Sequence, residues 1–234
     1  MKCAASRLTM VGVMALGAAF PLCAQDNAVQ ERLAMVKLAM ALNAQALHQY
    51  QWIETTQVTL NGDQRPPTQA SCQYGPDGKV QKTPIGSPPP QPGGGPLMRR
   101  IIEKKEAELK QYMGDVKAVL ALYLPPDPQK MEQAKQAGNL SVNPVPPSAV
   151  NLVFNNYAQP GDQMTLTFDT AAKKVASLSI NTTMGASQDP VTLQVQMASL
   201  PDGTSYAQQT ILNAVAKGLV VTTTNGNYQK LGGN

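Results

Sequence analysis

The sequence predicts an α+β fold: a single curved antiparallel sheet, an open half-barrel, covered on its concave face by amphipathic helices. Three observations predict it. Short segments with two-residue alternation of apolar and polar side chains flank a helical middle. Two long segments carry apolar residues at helical spacing. The breaks between alternating segments are the Pro, Gly, Asn and Asp clusters that turn a chain back on itself. A sheet with one apolar face needs a cover, and an amphipathic helix needs something to cover.

The chain opens "MKCAASRLTMVGVMALGAAFPLCAQDNA". Lys2 and Arg7 precede an apolar run over residues 8–22, and small residues around Ala24 offer a cleavage site, the pattern of a secretory signal peptide. The run is short for a membrane span, and no later segment of the mature chain is long and apolar enough to cross a bilayer. Residues 1–24 are therefore expected to be removed. Residues 25–234 then form one domain, periplasmic or secreted. Lipidation at Cys23 is the alternative; Pro21 and Leu22 before it fit that signal badly.

The formal net charge of +4 falls by two with Lys2 and Arg7. So small a charge gives no basis for binding nucleic acid. Charged residues make up 15% of the chain, against about 25% in ordinary globular proteins, so Thr, Gln, Asn and Ser carry the polar surface. Cys3 and Cys23 lie in the leader and leave Cys72 alone. The mature domain must hold together by packing without an internal disulfide, and Cys72 reads as a small buried apolar residue.

The first helix is expected over residues 27–48, capped by Asp26 or Asn27, with Val29, Leu33, Val36, Met40 and Leu47 on one stripe. "YQWIETTQVTLNGD" alternates, placing Trp52, Glu54, Thr56, Val58 and Leu60 on one strand face. "TQASCQY" and "KVQKTPI" follow as strands around the turn "GPDG". "GSPPPQPGGGP", residues 86–96, stiffens and then loosens the chain and fits no sheet ladder, so it reads as a flexible surface loop. A second helix is expected over 97–124, with Met98, Ile102, Leu109, Met113, Val116, Leu120 and Tyr123 as its stripe and a bend at Gly114. Asp127, Pro128 and Gly138 bracket a third, short helix. "VNLVFNN", "MTLTFD", "KVASLSINT" and "VTLQVQM" are strands with one apolar and one polar face. A last hairpin, about six strands in all after the third helix, runs through "YAQQTILNAVA" and "LVVTTTN"; part of 210–216 also fits a helix.

The chemistry-bearing residues are few. His48 is the one histidine, placed where a helix C-terminus favours it. No G-x-S-x-G, phosphate-cradling loop or H-E-x-x-H motif occurs. One His and one mature Cys do not make a usual zinc site. Arg99, Arg100, Lys104 and Lys105 are interleaved with Glu103 and Glu106 and read as a solvated face. No catalytic residue, metal site or cofactor is assigned.

The order of elements resembles the periplasmic lipoprotein-carrier fold of the Lol type. An exported helix leads into "QYQWIETTQVTLNG", and the strands end near "PDGTSY" and "VVTTTNGNYQKL". "YGPDGKVQKTPI" and "PPDPQKM" are similar to a group of bacterial exported proteins from which no activity carries over. The Lol resemblance implies acyl chains bound between sheet and helices, with the Pro/Gly loop letting the second helix move as a lid. Lol carriers place an arginine on an early strand; Arg65 falls in a turn here.

The expected function is a non-enzymatic periplasmic binding or carrier protein for an apolar or lipid ligand. Trp52, Val58, Phe154, Leu166, Phe168, Leu193 and Val195 are the candidate wall residues. The alternative is an envelope scaffold or regulatory protein with a fully packed core, whose Pro-rich loop recruits an envelope protein partner.

Overall fold

The computed structural model describes residues 22–86 and 96–232. The leader residues 1–21 and loop residues 87–95 lie outside that range.

Helix α1 (Leu22–Leu47) leads into strands β1 (Tyr50–Leu60), β2 (Asp63–Gln64), β3 (Thr68–Tyr74) and β4 (Val80–Ile85). Helices α2 (Pro96–Leu120) and α3 (Pro128–Gln136) follow. Seven strands complete the chain: β5 (Leu140–Val145), β6 (Ala149–Asn155), β7 (Gln163–Asp169), β8 (Lys174–Met184), β9 (Asp189–Ser199), β10 (Ser205–Ala214) and β11 (Leu219–Lys230).

All eleven strands join one antiparallel sheet, in the order β4-β3-β1-β11-β10-β9-β8-β7-β6-β5, with β2 paired to β1 off the path. The first strand therefore pairs with the last, and β4 and β5 are free edges of an unclosed sheet. Both edges are blunted by proline, Pro84 in β4 and Pro144 in β5, since proline cannot donate to a further strand. The predicted α+β half-barrel is the observed architecture.

This topology explains the helical middle. The chain must travel from one sheet edge to the other. At about 4.8 Å per strand spacing the width is roughly 43 Å along the sheet, less across the chord of a curved one. The 25 residues of α2 supply about 37 Å at about 1.5 Å rise each, and α3 covers the rest.

Register sorts the faces. One inner row runs Val58–Val221–Leu212–Leu193–Ile180–Met164–Phe154 across seven strands, and every member is apolar. Against it pack Leu33 and Val36 of α1, Tyr112, Val116 and Leu120 of α2, and Met131 of α3. The apolar stripes of the helices and the alternation of the strands thus meet in one core.

Several sequence expectations need correction. Helix α1 already includes the residues from Leu22, so Asp26 and Asn27 lie inside it instead of capping it. Helix α2 stops at Leu120 and tightens into i→i−3 bonds from Leu122 and Tyr123, and it runs through Gly114 without interruption. Strand β5 was not among the expected strands; Pro144 lies within it, and an edge strand tolerates a proline. Residues 210–214 are strand, and only Val215–Lys217 coil, into a 3-10 turn. Gly218 closes that turn at φ +54, with Asn61 so close that a Cβ would collide with it. Helix α3 is as expected: Asp127 Oδ1 accepts from the Gln129 amide at 2.8 Å.

Candidate ligand-binding face

The helices cover the sheet unevenly. Under them, Phe154 and Phe168 are 0% exposed, Leu166 1%, Leu193 3% and Val195 9%. These five predicted wall residues come together in one core. The sixth, Val58, sits at the core's margin, half-buried beside its cross-strand neighbour Val221. The seventh, Trp52, lies apart from them.

Coverage fails toward β11, β1 and β3, and the chemistry changes there too. The inner row next to the apolar one runs Val142–Leu152–Leu166–Leu178–Val195 on β5 to β9. On β10, β11 and β1 it becomes Thr210, Thr223 and Thr56. One row further, Glu54 pairs in register with Asn225 and takes an ion pair from Lys82 Nζ at 2.6 Å and 2.7 Å. These threonines and Glu54 are half-buried. The inner face thus grades from a buried apolar half to a half-buried hydroxyl-lined end.

Among the described residues of helix α2, burial is concentrated in its C-terminal half. From Arg99 to Glu108 every described side chain except Ile102 is exposed, including the basic cluster. Tyr112, Val116 and Leu120 are buried, and just beyond them Tyr123 is 0% exposed. The Tyr123 hydroxyl donates to Asp162 Oδ2 at 2.5 Å and lies 2.8 Å from Thr182 Oγ1. Asp162 also accepts from the backbone amides of Tyr157 (2.6 Å), Ala158 (2.9 Å) and Gln159 (2.7 Å). Burial first, and then the Asp162 carboxylate, push the Tyr123 phenol well above its ordinary range, so it stays a donor. The Tyr157 ring stacks on Tyr123, and its hydroxyl accepts from the Asp127 amide that opens α3.

One polar atom in this anchor lacks a partner. The Tyr112 hydroxyl is buried and unbonded among the described residues, with Lys217 Nζ 5.9 Å from the ring. A hydroxyl already desolvated without a bond contributes nothing by staying. Tyr112→Phe is expected to be neutral or to stabilise by up to about 1 kcal/mol in urea unfolding. A loss above about 1 kcal/mol would show that the hydroxyl is bonded in solution.

The remaining aromatic residues gather at the other end of β1. Trp52 stacks on Tyr228 (5.5 Å, 10°) and packs against Tyr74 (5.5 Å). Tyr228 also meets Tyr50 and Tyr206, and His48 stacks on Tyr74 at 4.4 Å. Trp52 Nε1 donates to Asn225 Oδ1 at 3.0 Å. A bulge in β11, with Asn227 at φ +54, turns Tyr228 onto Trp52. Cys72, 0% exposed, lies opposite Trp52 on β3. Burial, then Glu54, push its thiol up, which leaves it a packed protonated side chain. The lone His and lone Trp are thus brought together, with four tyrosines that sequence reasoning missed. The only signal was a tyrosine near a strand terminus in "CQYG", "TSYA" and "GNYQ".

No family model matches this chain, and no curated protein matches it. Two solved structures are similar. One is a DUF1329 family protein from Desulfovibrio piger, at 8% identity and TM-score 0.44, covering 88% of this chain and 94% of the other. The second is a LolA superfamily protein from Nitrosomonas europaea, at 7% identity and TM-score 0.36, covering 84% and 94%. Among the described residues, no helix is long and apolar enough to cross a membrane, and no cluster of three His, Cys, Asp or Glu side chains could hold a metal.

The aromatic corner carries a pH dependence. Tyr50 Oη donates to Asp202 Oδ2 at 2.6 Å, and the Thr204 amide donates to the same carboxylate. These bonds hold Asp202 down to about 2, against 3.8 for a free aspartate. A folded value below the unfolded one stabilises above the unfolded pKa and is lost as pH falls. Stability is expected to drop between about pH 4 and about pH 2, and Asp202→Asn to flatten that slope. An unchanged slope in urea midpoints across this range would remove Asp202 from the account.

Proposed function

We propose that this chain is a non-enzymatic, exported binding or carrier protein, acting in the periplasm on an amphiphile with an acyl-chain-like tail. The observation that carries the reading is the gradation of the sheet's inner face from buried apolar rows to half-buried hydroxyls. Tails suit the Val58–Val221–Leu212 margin of the core. A polar head suits the adjoining Thr56, Thr223 and Thr210 hydroxyls and the Glu54–Lys82 pair. The first half of α2, whose described residues Arg99 to Glu108 are exposed except Ile102, is the element suited to close over such a ligand. Phe154, Leu166, Phe168, Leu193 and Val195 back this wall as packed support, with Val58 in contact, while Trp52 packs in the aromatic corner away from it.

The test is titration of a dansyl-labelled fatty acid into the mature protein. Fluorescence should rise to saturation. Val58→Glu should weaken binding roughly tenfold or more, because an unpaired charge would face the tail, with the circular dichroism of the fold unchanged. No fluorescence change in the wild-type protein would sink the reading. The filled core under α1 and α2 favours a second one: an envelope scaffold whose Pro-rich segment recruits a partner.

A further inference from the structure

The sheet's other face carries a feature that neither the acyl-chain reading nor the core requires. Its register rows contain hydroxyls and amides in place of charges. One row runs Thr55–Thr224–Gln209–Gln196–Ser177–Thr167 across six neighbouring strands and continues to Asn151. The row beside it runs Gln57–Thr222–Ile211–Gln194–Ser179–Thr165. Neither row contains an Asp, Glu, Lys or Arg. Globular proteins are about 25% charged overall, so twelve successive uncharged positions on an outer face call for an explanation beyond solvation.

Where the two rows cross β8, β9 and β10 they sink into a groove of about 320 Å³ lined by Ser177, Ser179, Gln194, Gln196, Gln209 and Ile211, with Leu178 and Val195 between them in the chain. That volume is in the range of small-ligand sites. From this groove and the uncharged rows running through it, we infer that the helix-free face binds a neutral polyhydroxylated chain, a glycan.

The chemistry selects this occupant over others. A nucleic acid or acidic polymer needs cations, and these rows hold none. An apolar partner would strip water from rows of amides and hydroxyls without bonding them, which is costly for each group. A neutral glycan offers hydroxyl donors and acceptors at every unit. Gln and Asn amides and Ser and Thr hydroxyls answer with both donors and acceptors. Ile211, in the floor of the groove, supplies an apolar patch for the C–H face of a sugar ring. The strand spacing of about 4.8 Å repeats the hydrogen-bonding groups at about the interval of successive units in an extended glycan.

The test is two-dimensional NMR of the mature protein titrated with chitohexaose and with cellohexaose, and with dextran sulfate as a charged control. Shift changes centred on Ser177, Gln194, Gln196 and Gln209 with either neutral oligosaccharide are the expected result. Gln194→Ala with Gln196→Ala should weaken binding about tenfold, since two side-chain bonds are lost. These positions face solvent, so the fold is expected to survive, and the spectrum itself reports whether it does. No shifts with either hexasaccharide, shifts confined to the helix-covered face, or equal binding of dextran sulfate would each overturn the inference. The dansyl fatty acid experiment reads the opposite face, so the two can fail separately.

Discussion

Asp162→Ala is expected to destabilise the protein by about 4 kcal/mol, among the largest effects of any single substitution in this chain. The carboxylate is 3% exposed and accepts four hydrogen bonds: three backbone amides of its own turn and the Tyr123 hydroxyl. Alanine would leave those donors facing a cavity. Each buried unmet donor costs about 1–3 kcal/mol, and water reaching part of the vacated space limits the sum. The loss should also reach beyond the turn. Tyr123 holds the C-terminal end of α2 to Thr182 on β8, and Gln159 Nε2 bonds the same threonine at 2.5 Å. Tyr123→Phe alone is expected to cost about 1–2 kcal/mol. The double variant should cost less than the two singles together, because both remove one shared bond. Urea unfolding of the four proteins reads this directly. A loss under about 1 kcal/mol for Asp162→Ala would mean that the anchor of α2 lies elsewhere.

That anchor shows where sequence reasoning stops. The alternation of "VNLVFNN", "MTLTFD" and "VTLQVQM" gave strands β6, β7 and β9 and their apolar faces, because one face of each is buried and periodicity records burial. The burial of Phe154, Leu166, Phe168, Leu193 and Val195 was legible for the same reason. Strand β1 alternates as clearly, yet from Glu54 to Leu60 both its faces are only half-buried. Periodicity tells which residues share a face, but not whether a helix lies over it. Tyr123 was placed on the apolar stripe of α2, whereas its function as an anchor depends on a hydroxyl that meets an aspartate from a turn 39 residues away. The aromatic corner was illegible by the same logic. It is assembled from Tyr50, Trp52, Tyr74, Tyr206 and Tyr228 by the pairing of β1 with β11, and no local pattern announces a pairing between the first strand and the last. Strand β5 was hidden by its prolines, which mark breaks in a central strand but protect an edge.

Phe168→Ala is the second large effect expected, a loss of about 3–5 kcal/mol. The ring is 0% exposed on β7, in the core that α1, α2 and α3 share. Its removal takes away the transfer free energy of the ring and leaves a void that a sheet held by neighbours on both sides closes only in part. Val58→Ala makes the useful contrast. That side chain is half-buried at the margin of the same core, and its truncation should cost under about 1 kcal/mol, because little apolar area returns to water. The pair separates a wall from a core within one row of predicted ligand-binding residues. If both losses come out as stated, an acyl chain of the kind proposed would find no room deep beneath α2 and would have to use the half-buried margin at Val58 and Val221. A small loss for Phe168→Ala would instead mean that the covered half already tolerates empty space. The ligand would then belong between β7 and the helices, and the first half of α2 would be the door through which it enters.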